Sequence, residues 1–209
     1  MQLEREQPVP GAEVLALEEH VDYWNGLGWA DPFSSYAMTE RQQVYAEAFR
    51  QGGPYTPQMV VNGQWEFVGS RSREAREAIA QGAQQAQSAM SINAASLDSS
   101  GRGEWTVSVP HLDAASGDTA EVWLAITETR LHSSVAAGEN SGRNVEHAAL
   151  VRQFLKLGNA DAGALPSFSG TAKITLRPEW NRQNLRAVAF VQQKKSRHIL
   201  GAASARIAP

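Results

Sequence analysis

Along the second half of the chain, large apolar residues alternate with polar ones at a period of two. Trp105, Val107 and Val109 do so within 104–109, and Val122, Leu124 and Ile126 within 120–129. Such alternation turns one face of a half-buried strand toward a core. The spans 171–176, 185–192 and 199–207 read as strands in the same way. The span 146–157 departs from the pattern. Leu150, Val151, Phe154 and Leu157 fall at helical spacing there, after Gly142-Arg143-Asn144 and before Gly158, a natural helix terminator. This half is therefore expected to be an antiparallel β-sandwich with one helix.

The first half has a different rhythm. Met1 to Gln7 is charged and helix-permissive, is stopped by Pro8 and Pro10, and reads as the last turns of a helix. Glu13 to Leu17 reads as a short buried strand leading into Glu18, Glu19 and His20. Residues 22–38 are aromatic and irregular, with Asn25-Gly26 and Asp31-Pro32 as turn signals. Thr39 is the expected N-cap of a helix that carries Val44, Tyr45, Ala48 and Phe49 on one face and stops at Gly52-Gly53-Pro54. Strands at 58–61 and 64–68 flank the hairpin signal Asn62-Gly63, and Ser70 is expected to cap a helix running through Ile79 to about Gln87. From 83 to 102 the chain turns to Ala, Gln, Ser and Gly. The expected organisation is a first domain at 1–90, a linker at 91–103 and a sandwich domain at 104–209.

Composition narrows the function classes. A net charge of −3 argues against nucleic acid as the main partner, since phosphate binding needs clustered cations. The one dense basic run, Lys194 to His198, reads as a solvated hairpin turn. No apolar run approaches the roughly 20 residues of a membrane span. The N-terminal residues contain no apolar stretch of the kind an export signal needs. There is no cysteine, which excludes a disulfide, a thiolate metal site and thiol chemistry by this chain's own residues.

Two blocks are unusual enough to carry a resemblance. HVDYWNGLGWADPFSS at 20–35, followed by an Arg-Gln-bearing helix, and YTPQMVVNG with FVGS at 55–70 resemble a bacterial family of thioredoxin-like, usually exported proteins, domain of unknown function 1223. The resemblance covers about 13–81 and, more loosely, Gly138 to Arg143 and Ile199 to Ala203. Asn25 departs from it, where the family more often has Asp. It implies an α+β chain: a truncated thioredoxin-like α/β domain followed by the sandwich. The opening strand and its Cys-x-x-Cys segment are expected to be lacking, with Leu3 to Gln7 the tail of the first helix. The implied setting is periplasmic or secreted. The implied activity of the intact family form is thiol–disulfide exchange or redox-linked chaperoning. This cysteine-free chain is expected to be inactive in it.

In the implied fold, Thr56-Pro57 is the cis-proline site and one wall of a groove for an extended peptide or protein partner. Spacing alone permits an ordinary trans proline opening a strand. His20 and Asp22 follow a strand at the carboxyl end of the sheet, where ligands gather in α/β folds. They read as a structural pair holding the 23–35 loop, as tuners of redox chemistry, or as two metal ligands lacking a third. No metal and no cofactor are expected. Tyr23, Trp24, Trp29 and Phe33 either pack that loop or form an apolar rim. Glu139, Asn140 and Arg143 read as turn and helix-cap residues, and His111, His132 and His147 are scattered and given no role. The expected binding groove is therefore His20, Asp22, Tyr23, Trp24, Thr56 and Pro57. With its opening strand lacking, the sheet is expected either to close up between Val14 and Met59 or to admit a strand there. That strand would come from the second domain or, in a homodimer, by exchange from another copy.

Overall fold

The computed structural model describes residues 2–94, 97–113, 117–136 and 141–207, a mixed α/β arrangement of mostly antiparallel sheets and few helices. The alternating spans form two sheets. One has the order β11-β10-β5-β8, from β5 (Ala120–Glu128), β8 (Leu150–Ala160), β10 (Leu185–Gln193) and β11 (Ile199–Arg206). The other has the order β3-β4-β9, from β3 (Ser91–Ala94), β4 (Arg102–Val109) and β9 (Phe168–Thr175). Trp105, Val107, Val109 and Ile174 of the second sheet meet Val122, Leu124, Ile126, Ala187, Ala189 and Val191 of the first in one core. The period-two residues thus face each other across a sandwich. The span read as a linker contains β3, which pairs along β4 from Ser91↔Ser108 to Ala94↔Trp105.

The helix expected at 146–157 does not form. A small hairpin of β6 (Leu131–Ser134) and β7 (Asn144–His147) leads instead into β8. The pairing of β5 with β8 slips register at Val122/Trp123 and at Ile126/Thr127, and each slip resets which residues face inward. Both faces of β8 also have partners: Leu155 and Leu157 pack on the sandwich core, while Phe154 stacks on Trp123 on the opposite side. An apolar stripe with two faces and two bulges imitates helical spacing. Glu139 and Asn140 lie outside the described residues, and Arg143 sits in the hairpin, where its carbonyl accepts from the Val135 N–H.

The first part contains α1 (Gln2–Glu6), a 3-10 turn at Asn25–Leu27, α2 (Tyr36–Ala48), the hairpin β1 (Gln58–Val61) and β2 (Trp65–Val68), and α3 (Ser72–Gly82). The N-cap of α2 is Ser35, whose hydroxyl accepts from the Met38 N–H. Thr39 lies inside the helix, buried, where its hydroxyl donates to Asp22 Oδ1 at 2.6 Å and accepts from the Asp22 N–H. The last helix is preceded by Arg71 rather than capped by Ser70, and it ends at Gly82. The segment 13–17 is not a strand. Gln7 and Glu4 side chains satisfy the backbone of Val14 and Ala16. Glu18 alone forms a parallel bridge, to Leu150.

This first part has little core of its own: Phe67, Ala75 and Ala78 are buried, with Leu3, Met59, Val61 and Trp65 around them. It is held instead by the outer face of the four-stranded sheet. The guanidinium of Arg41 on α2 is the main fastening. Its Nε donates to both oxygens of Glu19 at 3.1 Å, and its Nη atoms reach Gln192 Oε1 at 3.3 Å and the Tyr45 hydroxyl at 3.2 Å. It also lies 4.7 Å from the Phe154 ring centre, 5.6 Å from Phe190 and 5.8 Å from Trp123. Burying a cation costs several kcal/mol unless a carboxylate and polarisable rings offset it, and here both do. A second fastening is the β1–β2 turn, where Asn62 C=O accepts from the Ile199 N–H at 2.8 Å. Gly63 there has φ 66°, and a Cβ on it would lie 1.8 Å from the Arg197 carbonyl oxygen.

Two outcomes follow for stability. Arg41→Ala leaves Glu19 half-buried without its cation and is expected to cost about 3 kcal/mol or more, read as a fall in the urea midpoint. Gly63→Ala combines a left-handed backbone with a collision against main chain. It is expected to cost about 2 kcal/mol, whereas a solvent-facing glycine such as Gly26 tolerates alanine within about 1 kcal/mol.

Candidate functional site

Segment 13–19 and β1 do not pair with each other, and no strand of the described residues lies between them. They face one another across a cleft of about 1340 Å³. Its walls are mostly apolar, with Met38 and Tyr45 from α2, Ile79 and Gly82 from α3, and Val188, Phe190 and Ala202 from the sandwich sheet. Met59 and Val61 turn their side chains to the α3 side of β1, and Gln58 meets Gln42 of α2 on the other. The cleft is therefore covered on both faces.

Backbone bonding fixes the character of its two long edges. The Gly69 N–H donates to the Pro57 carbonyl, so in the antiparallel ladder the odd residues of β1 face β2. Gln58 and Val60 then turn their N–H and C=O groups toward the cleft. On the opposite edge the bonds of Val14 run to Gln7, that of Ala16 to Glu4 on α1, and those of Glu18 to Ala149 and to Val151 on β8. In an extended chain that alternation points Leu15, Leu17 and Glu19 the other way, into the cleft. None of these five residues has a backbone hydrogen-bond partner among the described residues.

The residues singled out from sequence are distributed unevenly around this feature. The Thr56–Pro57 bond is cis and opens β1 at the mouth of the cleft. Trp24 joins it there, donating from Nε1 to Thr56 Oγ1 at 3.0 Å. Tyr23 packs on the Trp24 ring and donates to Gln42, and Asp22 is taken up by Thr39; neither lines the cleft. Trp29 lines it as well, whereas Phe33 lies edge-on to His147 at 5.4 Å.

His20 belongs to a cluster that sequence spacing gave no means of finding. Its Nδ1 meets Asp31 Oδ2 at 2.5 Å and its Nε2 meets Glu18 Oε1 at 3.0 Å. The same Glu18 oxygen lies 3.0 Å from His147 Nδ1, and His147 Nε2 meets the Ser133 hydroxyl at 2.8 Å. Glu18 Oε2 accepts from the Ala148 N–H, and Asp31 Oδ1 from the Phe33 N–H. Burial opposes charge on His20, but the bonds to Asp31 and Glu18 outweigh it and raise its pKa to about 9. Burial likewise opposes charge on Glu18 and Asp31. Hydrogen bonds from His20 to both, from His147 and Ala148 to Glu18, and from Phe33 to Asp31 hold both carboxyls below their usual range. Glu18 and His147 are 129 residues apart in the chain. The only sequence hint was the carboxylate two residues before His20, in the run into which the expected strand at 13–17 leads.

The fold is similar to that of a solved structure. The crystal structure of protein AGR_C_4864 from Agrobacterium tumefaciens is similar over 91% of this chain and 79% of its own, with a TM-score of 0.62 at 22% identity. More distant are HBP35 of Porphyromonas gingivalis, over 78% of this chain and 56% of its own (TM-score 0.47, 15% identity), and a domain of the outer membrane lipoprotein Omp28 from the same organism, over 57% and 94% (0.35, 13%). A comparison with the curated proteins finds no match. A family model described as "Protein of unknown function (DUF1223)" matches residues 1–192, and the chain belongs to that family.

Proposed function

We propose that this chain is a peptide-binding protein that takes an extended, apolar segment into the cleft between residues 13–19 and β1. One observation carries the reading. Two edges with outward-turned backbone groups, at Leu15, Leu17 and Glu19 and at Gln58 and Val60, face each other across one cleft. An extended chain between them makes main-chain hydrogen bonds to both sides, which is strand addition with two edges instead of one. Nothing smaller does this, and a cleft of about 1340 Å³ exceeds the roughly 300–1,000 Å³ of pockets for small molecules. Because α2 and α3 cover both faces, the preferred segment is a continuous run of Val, Ile, Ala or Phe, not an alternating one.

None of the residues that form the cleft is a cysteine, so binding there is not coupled to disulfide exchange by a thiol of these 209 residues. A thioredoxin-like relationship for the first part is supported by the order α2, β1, β2, α3 and by Thr56-Pro57 at the start of β1. The likeness of residues 20–35 and 55–70 to exported proteins supports a setting in the periplasm or outside the cell.

The test uses a fluorescent hexapeptide of Val, Ile and Ala with a lysine tail for solubility. Saturable anisotropy with a change in tryptophan emission, from Trp24 and Trp29 at the cleft, is the expected result. Val60→Pro removes one cleft-facing donor but no β2 bond, at an edge position where proline is tolerated. It is expected to weaken binding about tenfold, the effect of one lost main-chain bond with its partner left unsatisfied. Val60→Thr binds as wild type. Equal binding by Val60→Pro, or no binding by the folded wild type, overturns the proposal.

A further inference from the structure

The cluster around Glu18 has an arrangement that an ion-pair network does not require. Glu18, His20 and His147 each present one ligand atom, and these atoms all lie within 4.8 Å of one another. Every ligand is also held from behind. His20 Nδ1 is bonded to Asp31, which leaves Nε2 as the atom facing Glu18, and His147 Nε2 is bonded to Ser133, which leaves Nδ1. The second oxygen of Glu18 is fixed by the Ala148 N–H. Asp31 and Ser133 hold the far nitrogen of each imidazole, as outer-sphere partners of metal ligands do, so an ion that releases to solvent the protons shared with Glu18 finds both near nitrogens beside the same carboxylate oxygen.

We propose that Glu18 Oε1, His20 Nε2 and His147 Nδ1 bind a divalent first-row transition-metal ion. Two imidazoles and a carboxylate form a donor set suited to zinc and its neighbours. At metal–ligand distances of about 2.1 Å, tetrahedral ligands stand roughly 3.4 Å apart. Glu18 Oε1 lies 3.0 Å from each imidazole nitrogen and the two nitrogens lie within 4.8 Å of each other, so small shifts of the carboxylate and of the rings reach that spacing. Glu18 and His20 also line the cleft, so the fourth position is reached from it and is filled by water or by a group of a bound molecule. The ion joins segment 13–20 to β7 and fixes one edge of the cleft. The proposal stands on geometry independent of the peptide-binding reading.

The test uses the full chain, freed of metal by chelation and shown to be folded by circular dichroism. Titration with zinc is expected to show one site per chain and a rise in melting temperature, because an ion that binds only the folded form stabilises it. Cobalt(II) is expected to give the intense visible absorption of a four-coordinate nitrogen–oxygen site. His147→Gln is expected to lower zinc affinity at least about 100-fold, and Asp31→Asn, which touches no metal, about 10- to 100-fold. A folded wild type that binds no zinc overturns the proposal. So does zinc binding that His147→Gln and Asp31→Asn leave unchanged, which assigns the ion to surface histidines such as His111 or His198. If His147→Gln fails to fold, the cobalt spectrum of the wild type and the Asp31→Asn titration decide.

Discussion

The guanidinium of Arg41 is the interaction on which the arrangement of the first part depends. The hairpin and helices before residue 90 bury too few large side chains to hold together by area alone. Arg41 gives them a directional hold on the sandwich, through Glu19 at the cleft edge, Tyr45 on its own helix and Gln192 on β10. Gln192 in turn donates to the Tyr45 hydroxyl and to the Arg197 carbonyl, against which Gly63 is seated. One buried cation thereby sets the positions of α2, the cleft edge and the hairpin turn together. The rings of Phe154, Phe190 and Trp123 make this possible in a place where water is excluded.

The two features of the site share one residue. The backbone of Glu18 bonds to Ala149 and Val151, its carboxylate bonds to both histidines, and its neighbours Leu17 and Glu19 turn toward the cleft. Glu18 is therefore the residue through which the cluster and that edge of the cleft are joined.

How far the sequence could be read follows from which signals are local. Strands β4, β5, β10 and β11 were legible because each keeps apolar residues at every second position toward the sandwich core, although β5 and β10 are buried on both faces, and Asn62-Gly63 marked its hairpin. Its loop spans three residues rather than two, since Val61 pairs with Trp65. β8 was not legible, because its two bulges break the alternation that identifies a strand. Segment 13–17 looked like a strand because it is apolar, yet side chains of Gln7 and Glu4 serve one edge of its backbone, and on the cleft side, where a strand was expected, none of the described residues pairs with it. Of the expected groove residues, His20, Trp24, Thr56 and Pro57 meet at the cleft, while Asp22 is spent on Thr39. His147 joins His20 only through the topology of the sandwich, which no local pattern encodes.

The bonds from Arg41 to Gln192 and from Glu18 to His147 close loops of 151 and 129 residues. During synthesis the first ninety residues emerge first but cannot take their final positions until β8 and β10 exist. At about 5–20 residues per second, that delay is on the order of ten seconds. Throughout it, the apolar walls of the future cleft are open to water and to any passing chain. The contacts that fix the first segments therefore form only once β8 and β10 have been made.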